Sequence, residues 1–301
     1  MSASINSGPP IASPTLQYLP TFNNKVAVLR LDAVHPVVSG NKWYKLQGHL
    51  AQAAAAGKRT ILTYGGAYSN HIVATAAACA TAGLQSVGII RGEAPEQWSP
   101  TLLDAQALGM ELHFINRTSY REKTIPEELY KQYPVGSIYV IGEGGMGTAG
   151  TTGIIEMMNN LPIDNFTHIL SAVGTGTTLA GLIQASKSQQ QVLGISSLKD
   201  NLELEAAVHN MLPPTGKNNW QINHEFHFGG YAKHKPELIR FMNDWYQLTG
   251  VPSDFVYTGK MFYAFQQLWL QQYFPENSNI LLVHTGGLQG NRSLPAGTLI
   301  Y

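Results

Sequence analysis

"AVGTGTTLAG", residues 172–181, reads as a strand ending at Val173 that turns through Gly174, Thr175 and Gly176 into a helix opened by Thr177 and Thr178. The N–H groups of a helix's first turn have no partner inside the helix, and the aligned peptide dipoles leave that end positive. With glycines that admit a ligand and up to three hydroxyls beside them, such a turn is a cup for an anion, above all a phosphate. It lacks the lysine of a nucleotide P-loop, which argues against a phosphoryl-transfer ATPase. Two other readings stand beside the cup: a glycine-rich turn with no ligand, and a dinucleotide-binding loop. For the latter, Gly174 and Gly176 match the first two glycines of the fingerprint and Asp200 follows the next strand. Leu179 occupies the third glycine position, however, and Asp200 lies farther on than the usual spacing of about 20 residues.

The same strand-turn-helix order runs through the rest of the chain. "QGHLAQAAAAG" predicts a helix closed by Gly57, since glycine takes the left-handed conformation that ends helices. "RTILTYGG" predicts a strand, "SNHIVATAAACATAG" a helix and "LQSVGIIRG" a strand. "TLLDAQALG", "MELHFI", a helix over 124–133 and "GSIYVIG" carry the alternation to a glycine cluster at 142–153, the best domain boundary. Beyond it "IIEMMNNL", "HILSAVG", "TTLAGLIQASKS" and "QVLGISSL" alternate again. "PELIRFMNDWYQLTG" and "KMFYAFQQLWLQQY" then predict helices and "NILLVHTGG" a last strand. Such an order predicts an α/β protein with mainly parallel sheets covered on both faces. Ligands of such sheets collect beyond the carboxyl ends of the strands. Four ends there combine glycine with hydroxyl or amide residues: "TYGGAYSNH", "IGEGGMGTAGTTG", "AVGTGTTLAG" and "VHTGGLQGN".

Composition narrows the partners. The 301 residues carry 19 basic and 19 acidic side chains, a formal net charge of zero, and only 13% charged residues against about a quarter in ordinary domains. No basic stripe follows that could track a phosphate backbone, so nucleic acid is not an expected partner. No apolar run approaches the roughly 20 residues needed to span a bilayer, so no membrane partner is expected. The N-terminal "MSASINSGPPIASPTLQYL" lacks the basic and apolar regions of a signal peptide, and a cytoplasmic protein is expected. The lone Cys79, inside an alanine-rich helix, reads as a small core residue. The ten histidines show no metal spacing.

"VVSGNKWYKL", residues 37–46, places Lys42 directly behind Ser-Gly-Asn at the edge of an apolar segment. Alone, Lys42 is an ordinary helix-start lysine or a reactive amine. A phosphate cup in one half of the chain and such a lysine in the other suggest a cofactor bearing both a phosphate and an aldehyde, as pyridoxal 5'-phosphate does. Gly40 and Asn41 would let the backbone approach its ring.

"SGNKWYKL", "GGAYSNH", "GTGTT", "VYTGK" and "VHTGG" occur in the order and approximate spacing of the family containing 1-aminocyclopropane-1-carboxylate deaminase and D-cysteine desulfhydrase. That group is a branch of the tryptophan-synthase-β-like, fold type II pyridoxal phosphate enzymes, and the resemblance covers nearly the whole chain. It implies two α/β domains: a large cofactor-binding domain from residues 1–45 and 149–301, and a small domain from 46–148. It implies Lys42 as the Schiff-base lysine, Lys45 as the second lysine of the motif, and Ser69 near the reacting face of the cofactor. Asn70 matches the partner of the ring's phenolic oxygen, residues Gly174, Thr175, Gly176, Thr177 and Thr178 the phosphate loop, and Tyr231 and Tyr257 the tyrosines of the substrate pocket. Members commonly pair as dimers, so a homodimer is expected.

Two positions separate the branches. Where the cyclopropane deaminases carry glutamate after "VY" and leucine before the last Gly-Gly, this chain has Thr258 and Thr285, as on the D-cysteine desulfhydrase side. A carboxylate beside the pyridine nitrogen keeps it protonated and makes a strong electron sink, whereas a hydroxyl makes a weaker one. The expected activity is therefore α,β-elimination from a small amino acid, giving a keto acid and ammonia. Lys42 is the leading base, with Ser69 or a tyrosine assisting. Cyclopropane deamination is the alternative; a nicotinamide-dependent oxidoreductase and a non-catalytic amino-acid-binding descendant stand behind it. Trp43 and Tyr44, "GGYAKHKPE" and Leu288-Gln289-Gly290 depart from the family pattern and point to a changed pocket wall, with room for a substrate larger or more polar than cysteine. Phe262, Tyr263, Phe265, Trp269 and Tyr273 spread around one helix, as core or subunit interface.

Overall fold

The computed structural model describes residues 12–38, 40–214 and 216–301. The N-terminal leader reading rests mostly on residues outside these, as do the first eleven residues of the proposed large domain. Strands β1 (Thr15–Tyr18) and β2 (Val26–Arg30) precede helix α1 (Asn41–Ala55). Then come β3 (Thr60–Gly65), α2 (Asn70–Ala82), β4 (Gln85–Arg91), α3 (Pro100–Ala107), β5 (Met110–Ile115), the short α4 (Arg117–Arg121) and α5 (Glu127–Gln132), and β6 (Ile138–Ile141). The chain continues with α6 (Thr148–Asn159), β7 (His168–Val173), α7 (Thr177–Ala185), β8 (Gln191–Ser196), α8 (Leu204–His209) and β9 (Trp220–Asn223). It closes with α9 (Pro236–Thr249), α10 (Thr258–Leu270) and β10 (Ile280–His284).

Two sheets result. One has the order β5-β4-β3-β6 and is parallel throughout; the other, β1-β2-β10-β7-β8-β9, is parallel except where β1 runs against β2. Strands buried on both faces need apolar residues at odd and even positions alike, and β10 is buried along its whole length. In the larger sheet Val28, Leu170, Leu193 and Leu282 face α9 and α10, packing on Trp245, Phe262 and Phe265. Their neighbours Leu29, Ile169, Val192 and Leu281 face α6, α7 and α8 on the other side. Phe262 and Phe265 are thus core residues, Tyr263 and Trp269 pack on that core, and Tyr273 is exposed. Cys79 is buried among apolar side chains, where burial pushes its thiol up to about 12. Among the described residues no helix is long and apolar enough to cross a membrane.

Helix α1 begins at Asn41, ahead of the predicted start at Gln47, because Lys45 and Leu46 are drawn into the interior. It crosses α6 with backbones almost in contact. A Cβ on Gly48 would stand 2.1 Å from the Ala149 carbonyl oxygen, and one on Gly153 would stand 1.9 Å from that of Tyr44. β10 lies between β2 and β7, so the turns leaving β10 and β7 emerge side by side at one edge.

Candidate active site

A cavity of about 670 Å³ opens where the carboxyl ends of both sheets meet. Lys42, Ser69, Asn70, Gly174, Tyr257 and Thr285 line it, drawn from segments far apart in sequence.

The backbone of residues 40–42 is fixed from three directions. Gly40, at φ +74°, donates its N–H to Leu31 O at 2.7 Å, and Asn41 donates its own to Thr285 O at 3.1 Å. The buried Asn41 side chain donates from Nδ2 to Thr178 Oγ1 at 2.7 Å and accepts at Oδ1 from Lys42 Nζ at 3.1 Å. The lysine is tied in this way to the turn after β10 and to the start of α7. Burial lowers the Lys42 amine to about 8, partly offset by the Asp254 charge. Lys45, whose Nζ donates to Gly144 O at 3.3 Å, is lowered well below the usual lysine range by burial and then by Lys42.

His71 sits beside these amines and is held well below the ordinary histidine range, by burial first and then by Lys42, Lys45 and His49. Thr63 Oγ1 gives its proton to Ile141 O at 2.9 Å, so it accepts from His71 Nε2 at 2.8 Å. His71 is therefore a neutral ring with its proton on Nε2, and its buried Nδ1 has no hydrogen-bond partner.

The turn before α7 has no side chain capping the helix, which leaves its first N–H groups free for a ligand. Gly176, at φ +81°, packs where a Cβ would lie 2.8 Å from Val208, and a Cβ on Gly174 would lie 3.1 Å from the Tyr257 ring. Gly174, Thr175, Gly176 and Thr178 line the cavity. The Thr177 side chain is buried against α6 and lies 3.3 Å from the Thr175 hydroxyl, so this residue presents its backbone to the cup.

Ser69 caps α2, accepting from Ile72 N at 3.4 Å. Asn70 Oδ1, next to it, is buried without a partner. The Tyr231 and Tyr257 rings, both in the cavity lining, stand 6.1 Å apart, edge to face. Burial raises both phenols, Tyr257 well above the ordinary tyrosine range. Thr258 is fully buried and does not line the cavity. Its hydroxyl donates to Asp254 Oδ2 at 2.6 Å and accepts from Asp254 N at 2.8 Å. Asp254 Oδ1 accepts in turn from the N–H groups of Val256 and Tyr257, at 2.9 and 2.7 Å, and Oδ2 from that of Thr258 at 2.9 Å.

Asp254 and Lys260 are absent from the sequence-based set. An aspartate just ahead of a helix start is a capping signature that could have found the first. Lys260, fully buried, donates from Nζ to Gly230 O at 2.7 Å and so holds the segment leading to Tyr231; no local pattern announces it.

A group with a phosphate at one end and an aldehyde near the other fits this donor set. The cup supplies unpaired amides and the Thr175 hydroxyl, Lys42 a largely buried amine, and Asn70 an amide with an unused oxygen. Fold and site define a fold type II α/β enzyme dependent on pyridoxal phosphate. The chain belongs to the family described as pyridoxal-phosphate dependent enzyme, which it matches over residues 10–286. It is 30% identical over 299 residues to the "Putative 1-aminocyclopropane-1-carboxylate deaminase" of Pyrococcus abyssi, covering 91% of this chain and 89% of that one. A Thermotoga maritima protein of the same name is 28% identical over 297 residues, 91% of this chain and 94% of the other. The crystal structure of an ACC deaminase homologue superposes with a TM-score of 0.78 at 26% identity, covering 97% of both chains. The nicotinamide reading gives way to this membership. Asp200, its ribose partner, is exposed on a loop and lies 3.7 Å from Lys199.

Proposed function

We propose that the enzyme catalyses α,β-elimination from a small amino acid, in the manner of a D-cysteine desulfhydrase, releasing a keto acid and ammonia. The observation that carries this reading is that the cavity wall presents a hydroxyl at Thr285, while Thr258, the other position that separates the branches, lies behind that wall with its hydroxyl on the buried Asp254. Neither position offers a carboxylate, and the one cavity-lining carboxylate among the described residues, Glu143, pairs with Lys123 at 3.0 Å. A wall with a hydroxyl at this place, and with the Asp254 carboxylate held behind it by Thr258 and three backbone N–H groups, favours the weaker electron sink, which suffices for departure of a thiolate and is poorly matched to opening a cyclopropane.

When bound, pyridoxal phosphate supplies an aldehyde that condenses with amines and a ring that withdraws electrons from the α-carbon. In this proposal Lys42 is the amine that would hold the aldehyde, and its free amine would serve as the base at the substrate's α-proton. Its lowered pKa keeps a useful fraction neutral near physiological pH. Residues 174–178 would hold the phosphate, Asn70 would bond the phenolic oxygen, and Ser69 would assist the proton transfer. Tyr231 and Tyr257, with raised phenol pKa values, remain protonated and serve as donors in the substrate pocket. The proposed working form is a cytoplasmic homodimer, on the strength of the family resemblance.

Cyclopropane deamination is the second reading, supported by the names of the relatives. Purified holoenzyme offered D-cysteine and 1-aminocyclopropane-1-carboxylate separately decides between them. Sulfide and pyruvate from the first substrate alone support elimination. 2-Oxobutyrate from the second at a comparable kcat/KM overturns it.

A further inference from the structure

Two guanidinium groups line the cavity without a role in this chemistry. Arg91 ends β4 opposite Ile115 of β5, and Arg117 follows Ile115 by two residues. Neighbouring strands lie about 4.8 Å apart, so the two arginines leave the same sheet edge close together, and both line the cavity that holds Lys42. Among the described residues neither guanidinium has a hydrogen bond or a carboxylate partner. Arg91 lies 3.4 Å from where a Cβ on Gly66 would stand, and its Cζ is 5.7 Å from the Tyr120 ring centroid. Of the ionisable groups in the lining, burial lowers the Lys42 and Lys45 amines and Lys123 pairs with Glu143, so the standing positive charge is that of Arg91 and Arg117.

Such an excess of positive charge exceeds what the proposed reaction uses. The cofactor phosphate has the cup at α7. The substrate's α-carboxylate, which must lie near Lys42, has the first amides of the 13-residue α2 beside Ser69 and Asn70. Unpaired arginine in a cavity wall is a fork-shaped receptor for carboxylate, sulfonate or phosphate. We propose that Arg91 and Arg117 form a subsite for an anionic group on the substrate's side chain, making the preferred substrate a small amino acid with a second acidic group. This rests on the reading of the cavity as an amino-acid site.

The test is binding to the holoenzyme, followed through the cofactor's visible band and by calorimetry, with both enantiomers of each probe. Aspartate, cysteate and O-phosphoserine, which present carboxylate, sulfonate and phosphate, are compared with asparagine, alanine and serine. At least one anionic probe is expected to bind roughly tenfold or more tightly than its neutral counterpart. The exposed positions make Arg91→Gln and Arg117→Gln safe for folding, and together they should erase that preference while leaving alanine unchanged. Equal weakening of charged and neutral probes would mean that the arginines hold the α-carboxylate, and overturns the proposal. So does binding of amino acids without any preference for an anionic side chain. If no amino acid binds or perturbs the band, the amino-acid reading itself falls, and the subsite with it.

Discussion

Gly40 lies against the carbonyl of Thr285 so closely that a Cβ on it would stand 2.0 Å from the oxygen and 2.6 Å from the carbon. The Gly40-Asn41-Lys42 and His284-Thr285-Gly286-Gly287 segments, more than two hundred residues apart, are therefore one unit. Gly40, at φ +74° and ψ −159°, occupies backbone space open essentially to glycine alone, so Gly40→Ala adds a strain of about 1–3 kcal/mol to the cost of displacing the turn after β10. A lower urea midpoint and weaker pyridoxal phosphate binding are expected; equilibrium unfolding and dialysis that leave both unchanged would refute the coupling.

The Lys42 amine sets a pH dependence. With its pKa lowered from 10.5 to about 8, it is neutral above about 8, and only the neutral amine attacks an aldehyde. Cofactor uptake by the apoprotein, followed by stopped-flow absorbance, should accelerate through about pH 8 and then level, instead of climbing on towards 10.5. The unfolded chain binds the extra proton between these values, so this group adds stability to the apoprotein as pH rises from about 8 to 10.5. Lys42→Ala should abolish the visible band with the fold intact.

Asn41 joins the lysine to the phosphate cup. Asn41→Leu removes the 2.7 Å bond to Thr178 and the acceptor for Lys42, and pyridoxal phosphate affinity should fall by roughly tenfold or more. An unchanged dissociation constant in equilibrium dialysis would show that the cup keeps its shape without this bond.

Thr258 works through Asp254. Thr258→Val strips the hydroxyl from a buried carboxylate and from the Asp254 amide, with an expected cost of about 1–3 kcal/mol in denaturant unfolding. Thr258→Ser should restore most of it. A valine variant as stable as the parent would mean that the reciprocal pair contributes nothing net.

The periodic helices, the parallel order and the glycine-rich strand ends were legible because each depends on local pattern. β1, β2 and β9 were missed: they are short, and their place is set by pairing with distant strands, as Leu16 is with Leu29. Most of the residues singled out as site candidates line one cavity, since the turns carrying them follow strand ends. Thr177 and Thr258 point away from it, a distinction of helical phase and local capping that a motif does not encode. Asp254 and Lys260 became visible only with their partners, which come from the adjoining helix start and from loops around Ser197 and Gly230.

The glycine contacts between α1 and α6 have a mechanical consequence. Two helices meeting backbone to backbone, with Gly48 under Ala149 and Gly153 under Tyr44, cannot slide past one another without collision. The position of α1, and with it Lys42 at its start, is therefore locked to that of α6 along the helix axes.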